Sequence, residues 1–331
     1  MPNPTISQLH VDRPLTNVSI AYTQARNFAA RSVFPAIAVT NQSNQYFVYD
    51  KADWLRPMAE KRAPGAEAPV AGWNISPASY LCERYSLAHD INDPERANVD
   101  PAINLDVDAT EFVTENVNLT IENQWASEFF TTGVWSGASA STDMTGQAAP
   151  ASTTSNFKQW NNVDSTPIED MRGEARELEE NSGYYPNKLV LGPRVWDVLV
   201  DHPDVLDRVK FVGGGGVVSE AAFAQMLNLP ANAVVVLRAT KNTGKEGGTA
   251  SYSFIAGKQA LLTYAQPNPG LKKPTGGYAF VWTGAGVPLQ GLSISRIRLD
   301  RNESDRITGE TWVDFVKVAG TLGAFFATAV A

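Results

Sequence analysis

A single cysteine, Cys82, stands in the whole sequence, which excludes an internal disulfide and any thiolate metal cluster. It reads as a small buried hydrophobe. Histidine is almost as scarce: His10, His89 and His202 are the only three, and none lies near a Gly-framed serine or beside a second metal-type ligand at regular spacing. No stretch approaches eighteen consecutive apolar residues, and the first ten residues lack a basic run followed by an apolar core. A soluble, non-secreted product with no membrane span is the expectation. Positive charge is also short. The formal net charge is −8, which argues against a surface built to grip nucleic acid through its phosphates.

Phosphate-binding glycine loops are missing as well. Around Gly244 and Lys245 the earlier glycine and the following Ser/Thr are absent, and 256–259 fails in the same way. The tetraglycine 213–216 opens no helix motif and reads as a mobile loop. Glu179 with Glu180, and Asp204 with Asp207, read as solvated helix faces. No catalytic, cofactor-binding or metal site emerges. The chain is nonetheless an ordinary folding sequence, with 331 residues, 43% hydrophobic and 19% charged, enough for two core-bearing units.

What is present is organised around one stretch. From 102 to 132 there is no Gly or Pro, and Gly133 follows where a left-handed residue commonly stops a helix. Ala109, Val113, Val117, Ile121, Trp125 and Phe129 recur every four residues, with Phe112, Leu119, Ala126 and Phe130 as a second row. Such a helix would be roughly 40–45 Å long, more than one compact core covers. Between Ala97 and Phe157 there is no Lys or Arg, while Asp100, Asp106, Asp108, Glu111, Glu115, Glu122, Glu128 and Asp143 all occur. The first acids suit the helix dipole. Glu115, Glu122 and Glu128 do not, and read either as a solvated acidic face or as acids whose positive partners arrive from elsewhere.

Ahead of the helix, 1–45 is proline-dotted and poorly periodic, and reads as an arm lying along other surfaces. Short β-rich runs at 46–49 and 80–91 enclose a long Pro/Gly excursion that carries Lys51, Arg56, Lys61 and Arg62 against only Asp53, Glu60 and Glu67. A projecting hairpin whose bases meet acids on a neighbour is the simplest use. Arg296 and Arg298 are rival partners for the helix acids within the same chain. After the helix, 136–155 is rich in small residues and reads as a flexible loop. Thr166, Pro167 and Glu169 then stand as N-cap, first helical residue and capping-box acid of a helix that Gly183 ends. A strand at 187–191, a helix broken and restarted at His202-Pro203, a helix at 219–227 and strands at 234–237, 252–255, 261–264 and 278–282 follow. The chain closes with extended runs at 292–299 and 311–318 separated by 301–309, with a bulge or face change between Ile294 and Ile297, and with a small apolar tail, 322–331, that must be packed.

The run YPNKLVLGPRVWDVLVDHPDVLDRVK at 185–210 resembles the corresponding segment of major capsid proteins of tailed bacteriophages. The order of pieces around it does too: arm, basic hairpin, long helix, mixed α and β unit, and a return to strands near 312–319. The resemblance implies an α+β chain of the Hong Kong 97 type capsid fold. It would comprise an N-terminal arm (1–45), an extended loop (46–90), a peripheral domain with a spine helix (91–165), an axial domain (166–288) and C-terminal strands returning to the peripheral domain (289–331). It also implies a non-enzymatic shell subunit that needs no cofactor, forms pentamers and hexamers, encloses DNA without specific binding, and resides in the virion after assembly in the host cytoplasm. Portal, and a decoration protein where one is used, are implied partners. The sequence opens on the arm at Met1, so any scaffolding protein is expected to be separate. No crosslinking Lys and Asn pair is assigned. A tail or minor virion protein is the alternative, and a soluble enzyme a distant third. The inter-subunit contact candidates are Lys51, Arg56, Lys61, Arg62, Glu115, Glu122 and Glu128.

Overall fold

The computed structural model describes residues 28–98, 104–138, 143–149, 155–210, 218–245, 247–270 and 273–331. Most of the expected arm, Asp100 and the tetraglycine lie outside them. Two sheets carry the chain. The first is built on the strand Ser304–Lys317, which pairs antiparallel with Glu83–Asn92 along one edge, and with Ser293–Leu299 and then Gly277–Trp282 along the other. Ala36–Val39 adds to Gly277–Trp282 in parallel. The second sheet runs, in spatial order, Asn156–Lys158, Met144–Gln147, Gly323–Ala327, Ala260–Thr263, Lys188–Leu191 and Val234–Val236.

Side-chain alternation explains how the second sheet is buried on both faces. Leu189, Leu191, Leu262 and Phe326 join a core with Ile168, Met171, Leu178, Leu199 and Phe223 from the surrounding helices. Val190, Leu261 and Phe325 point the other way, into the core shared with the long helix and the first sheet. The helix Pro167–Ser182 ends as expected at Gly183, which has φ +77° and donates its N–H to Glu179 O at 2.7 Å. Its start differs. Thr166 makes no cap hydrogen bond, and Glu169 reaches Arg208 at 3.8 Å rather than turning back to the cap. Asp204 is likewise no solvated acid, because it pairs with Arg208 at 3.1 Å and accepts from Ile168 N–H at 3.4 Å.

The long helix spans Leu105–Phe129, capped by Asn104, whose Oδ1 accepts from Val107 N–H at 3.3 Å. It ends three residues before the expected stop because Trp135 folds back and donates its indole N–H to Phe129 O at 2.7 Å. The main apolar row is buried as read. The second buried row is Thr110, Thr114, Asn118, Glu122 and Ala126, four of them polar, while Phe112 is exposed.

Four other expectations are revised. Residues 29–34 are core: Ala29, Ala30, Val33 and Phe34 are buried, with the Phe34 ring centroid 4.9 Å from Phe129 and 5.8 Å from Trp125. The small-residue loop holds the strand Met144–Gln147, where Gly146 packs against Thr328 O and the Phe157 ring. The 80–91 run is two strands, Ile75–Leu81 and Glu83–Asn92, parted at Cys82, whose N–H goes to Gln42 O at 2.9 Å. Residues 304–309 belong to the last long strand, with unbroken register against Ser293–Leu299 and so no bulge. The tail is packed as expected, with its strand Gly323–Ala327 buried in the second sheet.

Candidate assembly surface

Strands Ser43–Tyr49 and Ile75–Leu81 form a separate two-stranded ribbon in continuous antiparallel register. Asp50 caps the single turn Lys51–Trp54 by accepting from Ala52 N–H at 2.9 Å. Asp53 then closes the far end of the ribbon, its Oδ2 accepting from Asn74 N–H at 2.9 Å and Nδ2–H at 3.1 Å. Between them 55–74 carries no regular secondary structure and is exposed throughout. A lone hairpin of this kind is marginal in water. This one also exposes apolar rings and chains: Phe47 at 68%, Trp54 at 59%, Trp73 at 61% and Val70 at 99%. Trp54 lies between Tyr49 and Trp73, at ring centroid distances of 5.9 and 6.3 Å. Such an apolar surface, rimmed with charge, marks an interaction site.

Arg56, Lys61 and Arg62 are exposed on 55–74, and among the described residues no acid of the same subunit pairs with them. Lys51 is used at home: its ammonium donates to Asn181 O in the last turn of the helix Pro167–Ser182, where a cation meets the negative end of the dipole. The structure does not bring the hairpin bases onto the long helix of their own chain.

The acids part company. Glu128 is exposed and accepts from Gln124 one turn earlier. Glu115 is half-buried and has a polar partner of its own. Glu122 was expected beside them and is instead 1% exposed, its two oxygens taken by backbone N–H groups of Ala29 and Ala30, so it can meet no neighbour's base. Arg296 and Arg298, the rival partners within the same chain, do not pair with Glu122 either. Arg296 pairs with Asp305 at 2.6 Å and Asp106 at 3.6 Å, and Arg298 with Asp93 at 2.5 Å, where Arg96 also joins Asp106 at 2.8 Å. These charges staple the start of the long helix to the first sheet.

Sequence reading missed an acidic group at the root of the hairpin. Burial and the charges of Glu83, Glu128 and Asp314 together push the Tyr85 phenol up to about 12. Burial raises Asp314 as well, opposed by its hydrogen bond from Leu81 N–H at 2.8 Å. Glu83, Glu128 and Asp314 come from three distant segments, so only the fold could unite them.

One serine and histidine pair invites a catalytic reading. Ser165 Oγ lies 3.0 Å from His202 Nε2. His202 Nδ1, however, accepts from Asp204 N–H at 3.1 Å, which leaves the proton on Nε2, and the serine hydroxyl donates to Asn162 O at 2.7 Å. A protonated Nε2 cannot take the serine's proton, so the pair caps a helix break. Among the described residues no group of three metal-type ligands occurs, and no helix is long and apolar enough to cross a membrane.

No family model matches the sequence. Among curated proteins, the major capsid protein of Burkholderia phage BcepMu is 21% identical over 201 residues, 61% of this chain and 61% of that protein. The chain thus matches about three fifths of that relative's length. Among solved structures, a phage-related protein from Bordetella bronchiseptica RB50 superposes with a TM-score of 0.71 at 18% identity, covering 97% of this chain and 98% of that one. The mature capsid of bacteriophage PhiM1 follows at TM-score 0.56 and 10% identity, with 90% and 86% covered. This chain has the Hong Kong 97 capsid fold. The capsid fold extends to the virus-like particle of Pyrococcus furiosus, at TM-score 0.55 and 9% identity over 94% of this chain and 97% of that one. Identity this low carries the capsid fold without the sequence detail, so the exposed hairpin and its charges stand on the geometry described above.

Proposed function

We propose that this chain is a major capsid protein, assembling with copies of itself as pentamers and hexamers into the icosahedral or prolate head shell that encloses a phage double-stranded DNA genome. The observation that carries this reading is the hairpin from 43 to 81: Phe47, Trp54, Val70 and Trp73 are exposed on a capsid-fold subunit that offers them no core. A second copy covers them at no cost in new chemistry. Arg56, Lys61 and Arg62 would then lie over the neighbour's Glu128, with Glu115 beside it. The role asks for no catalysis and no cofactor. A net charge of −8 suits a wall that contains DNA without binding it specifically. A separate scaffolding protein, a portal and, where one is used, a decoration protein complete the set of partners, with assembly in the host cytoplasm and residence in the virion.

Sedimentation velocity tests this on the purified chain, alone and with a candidate scaffolding protein. A megadalton boundary is expected in at least one condition. A boundary fixed at monomer or small oligomer in every condition contradicts it.

A further inference from the structure

Glu122 sits in the middle of the long helix, and among the described residues no cation pairs with it. Its Oε1 accepts from Ala29 N–H and its Oε2 from Ala30 N–H, both at 2.9 Å. Those two amides open the short helix Ala30–Val33, at the start of the described residues. Beside the contact lies a cavity of about 900 Å³ lined by further charges, and each of these is committed elsewhere. Arg31 donates to Gly291 O at 3.3 Å and Thr311 Oγ1 at 3.5 Å. Lys188 donates to Asn232 O at 3.3 Å, and Arg238 pairs with Glu220 at 3.2 Å.

A buried carboxylate without a counter-ion is a costly choice for a helix face. An apolar residue would pack there at less cost, and glutamine has the same shape. The apolar residue accepts from neither amide, and glutamine in the same pose sets its NH2 group against one of the two N–H donors. We infer that Glu122 is a positioning residue for the N-terminal segment: it holds Ala29 and Ala30 in place within the subunit before assembly, and so sets the root of any contact made ahead of them in a shell. Only the last clause rests on the shell-subunit reading.

Hydrogen exchange read by mass spectrometry on the full chain tests this, in wild type, Glu122→Gln and Glu122→Asp. In Glu122→Gln the segment 28–34 should lose at least tenfold in protection, while the strands Lys188–Leu191 and Ser304–Lys317 keep theirs. Glu122→Asp, which retains two acceptors, should recover part of it. Unchanged protection at 28–34 overturns the inference, and so does an equal loss across both sheets, which marks a merely structural residue. If Glu122→Gln does not fold, Glu122→Asp decides by its protection at 28–34. Particle diameters of wild type and Glu122→Gln by electron microscopy then test the assembly clause: identical shells overturn it, whereas a wild type that forms none counts against the shell reading instead.

Discussion

Gly309 lies directly beneath Val113, so close that a β-carbon at 309 would stand 2.6 Å from Val113 Cγ1. The long helix therefore rests on the strand Ser304–Lys317 at a point where only glycine fits, with Ile294 and Leu292 closing the sides. Gly309→Ala must push a β-branched, rotamer-locked side chain or lift the helix. The expected cost is about 1–3 kcal/mol, read from urea unfolding, and a variant as stable as wild type contradicts the close contact.

The staple at the start of the helix gives an acid limit to stability. Asp305 and Asp106 are held below the usual carboxylate range by their bonds to Arg296 and Arg96. A depressed carboxyl stabilises the fold above its unfolded value, about 3.9, and that contribution fades as pH falls through the lower folded value. Wild-type stability should therefore drop steeply below about pH 4. Asp305→Asn should cost about 1.5–3 kcal/mol at pH 7 and flatten the acid limb, because it removes the negative charge shared by three arginines. An acid limb unaltered by the change would remove the staple from the account.

Cys82 is buried, its thiol donating to Phe280 O at 3.4 Å, and burial together with Asp314 pushes it up to about 12. At pH 8 the thiolate fraction is then on the order of one in ten thousand. A thiol reagent should label the native protein extremely slowly and the unfolded chain within minutes. Fast stoichiometric labelling without denaturant contradicts the packing around Cys82.

Much of this architecture was legible in the residues. Period-four apolar spacing located the long helix, and Gly183 marked its helix end because a left-handed stop needs glycine. What escaped has a common physical cause. Residues 304–309 read as a connection because Asp305, Arg306 and Gly309 look like loop chemistry. In the fold the first two satisfy cross-strand charges, Arg306 with Asp90 at 2.7 Å, and Gly309 makes room for Val113. Glu122 read as a surface acid because its partners are backbone amides some ninety residues away, which no side-chain pattern advertises. The basic hairpin stood out by charge alone, whereas Glu83 and Asp314 became part of one acidic group only through strand pairing.

Charge reversal asks whether the hairpin bases serve assembly. Lys61→Glu with Arg62→Glu should leave the unfolding curve of the subunit unchanged, since both are exposed and pair with no acid among the described residues, and should abolish particle formation. Adding Glu128→Lys should restore part of it. Each exposed pair is worth only about 0–1 kcal/mol, but the contacts of a closed shell break together. Particles should also weaken with salt faster than subunits do. A silent double reversal removes the hairpin bases from the interface.

The central claim is that this subunit closes a shell with copies of itself, and cryo-electron microscopy of the expressed, purified chain addresses it most directly. Closed particles are expected, with pentamers and hexamers in the wall and the hairpin 43–81 of each subunit lying on its neighbour. Rings or tubes of tail-like symmetry, or a field of small discrete oligomers, would contradict it.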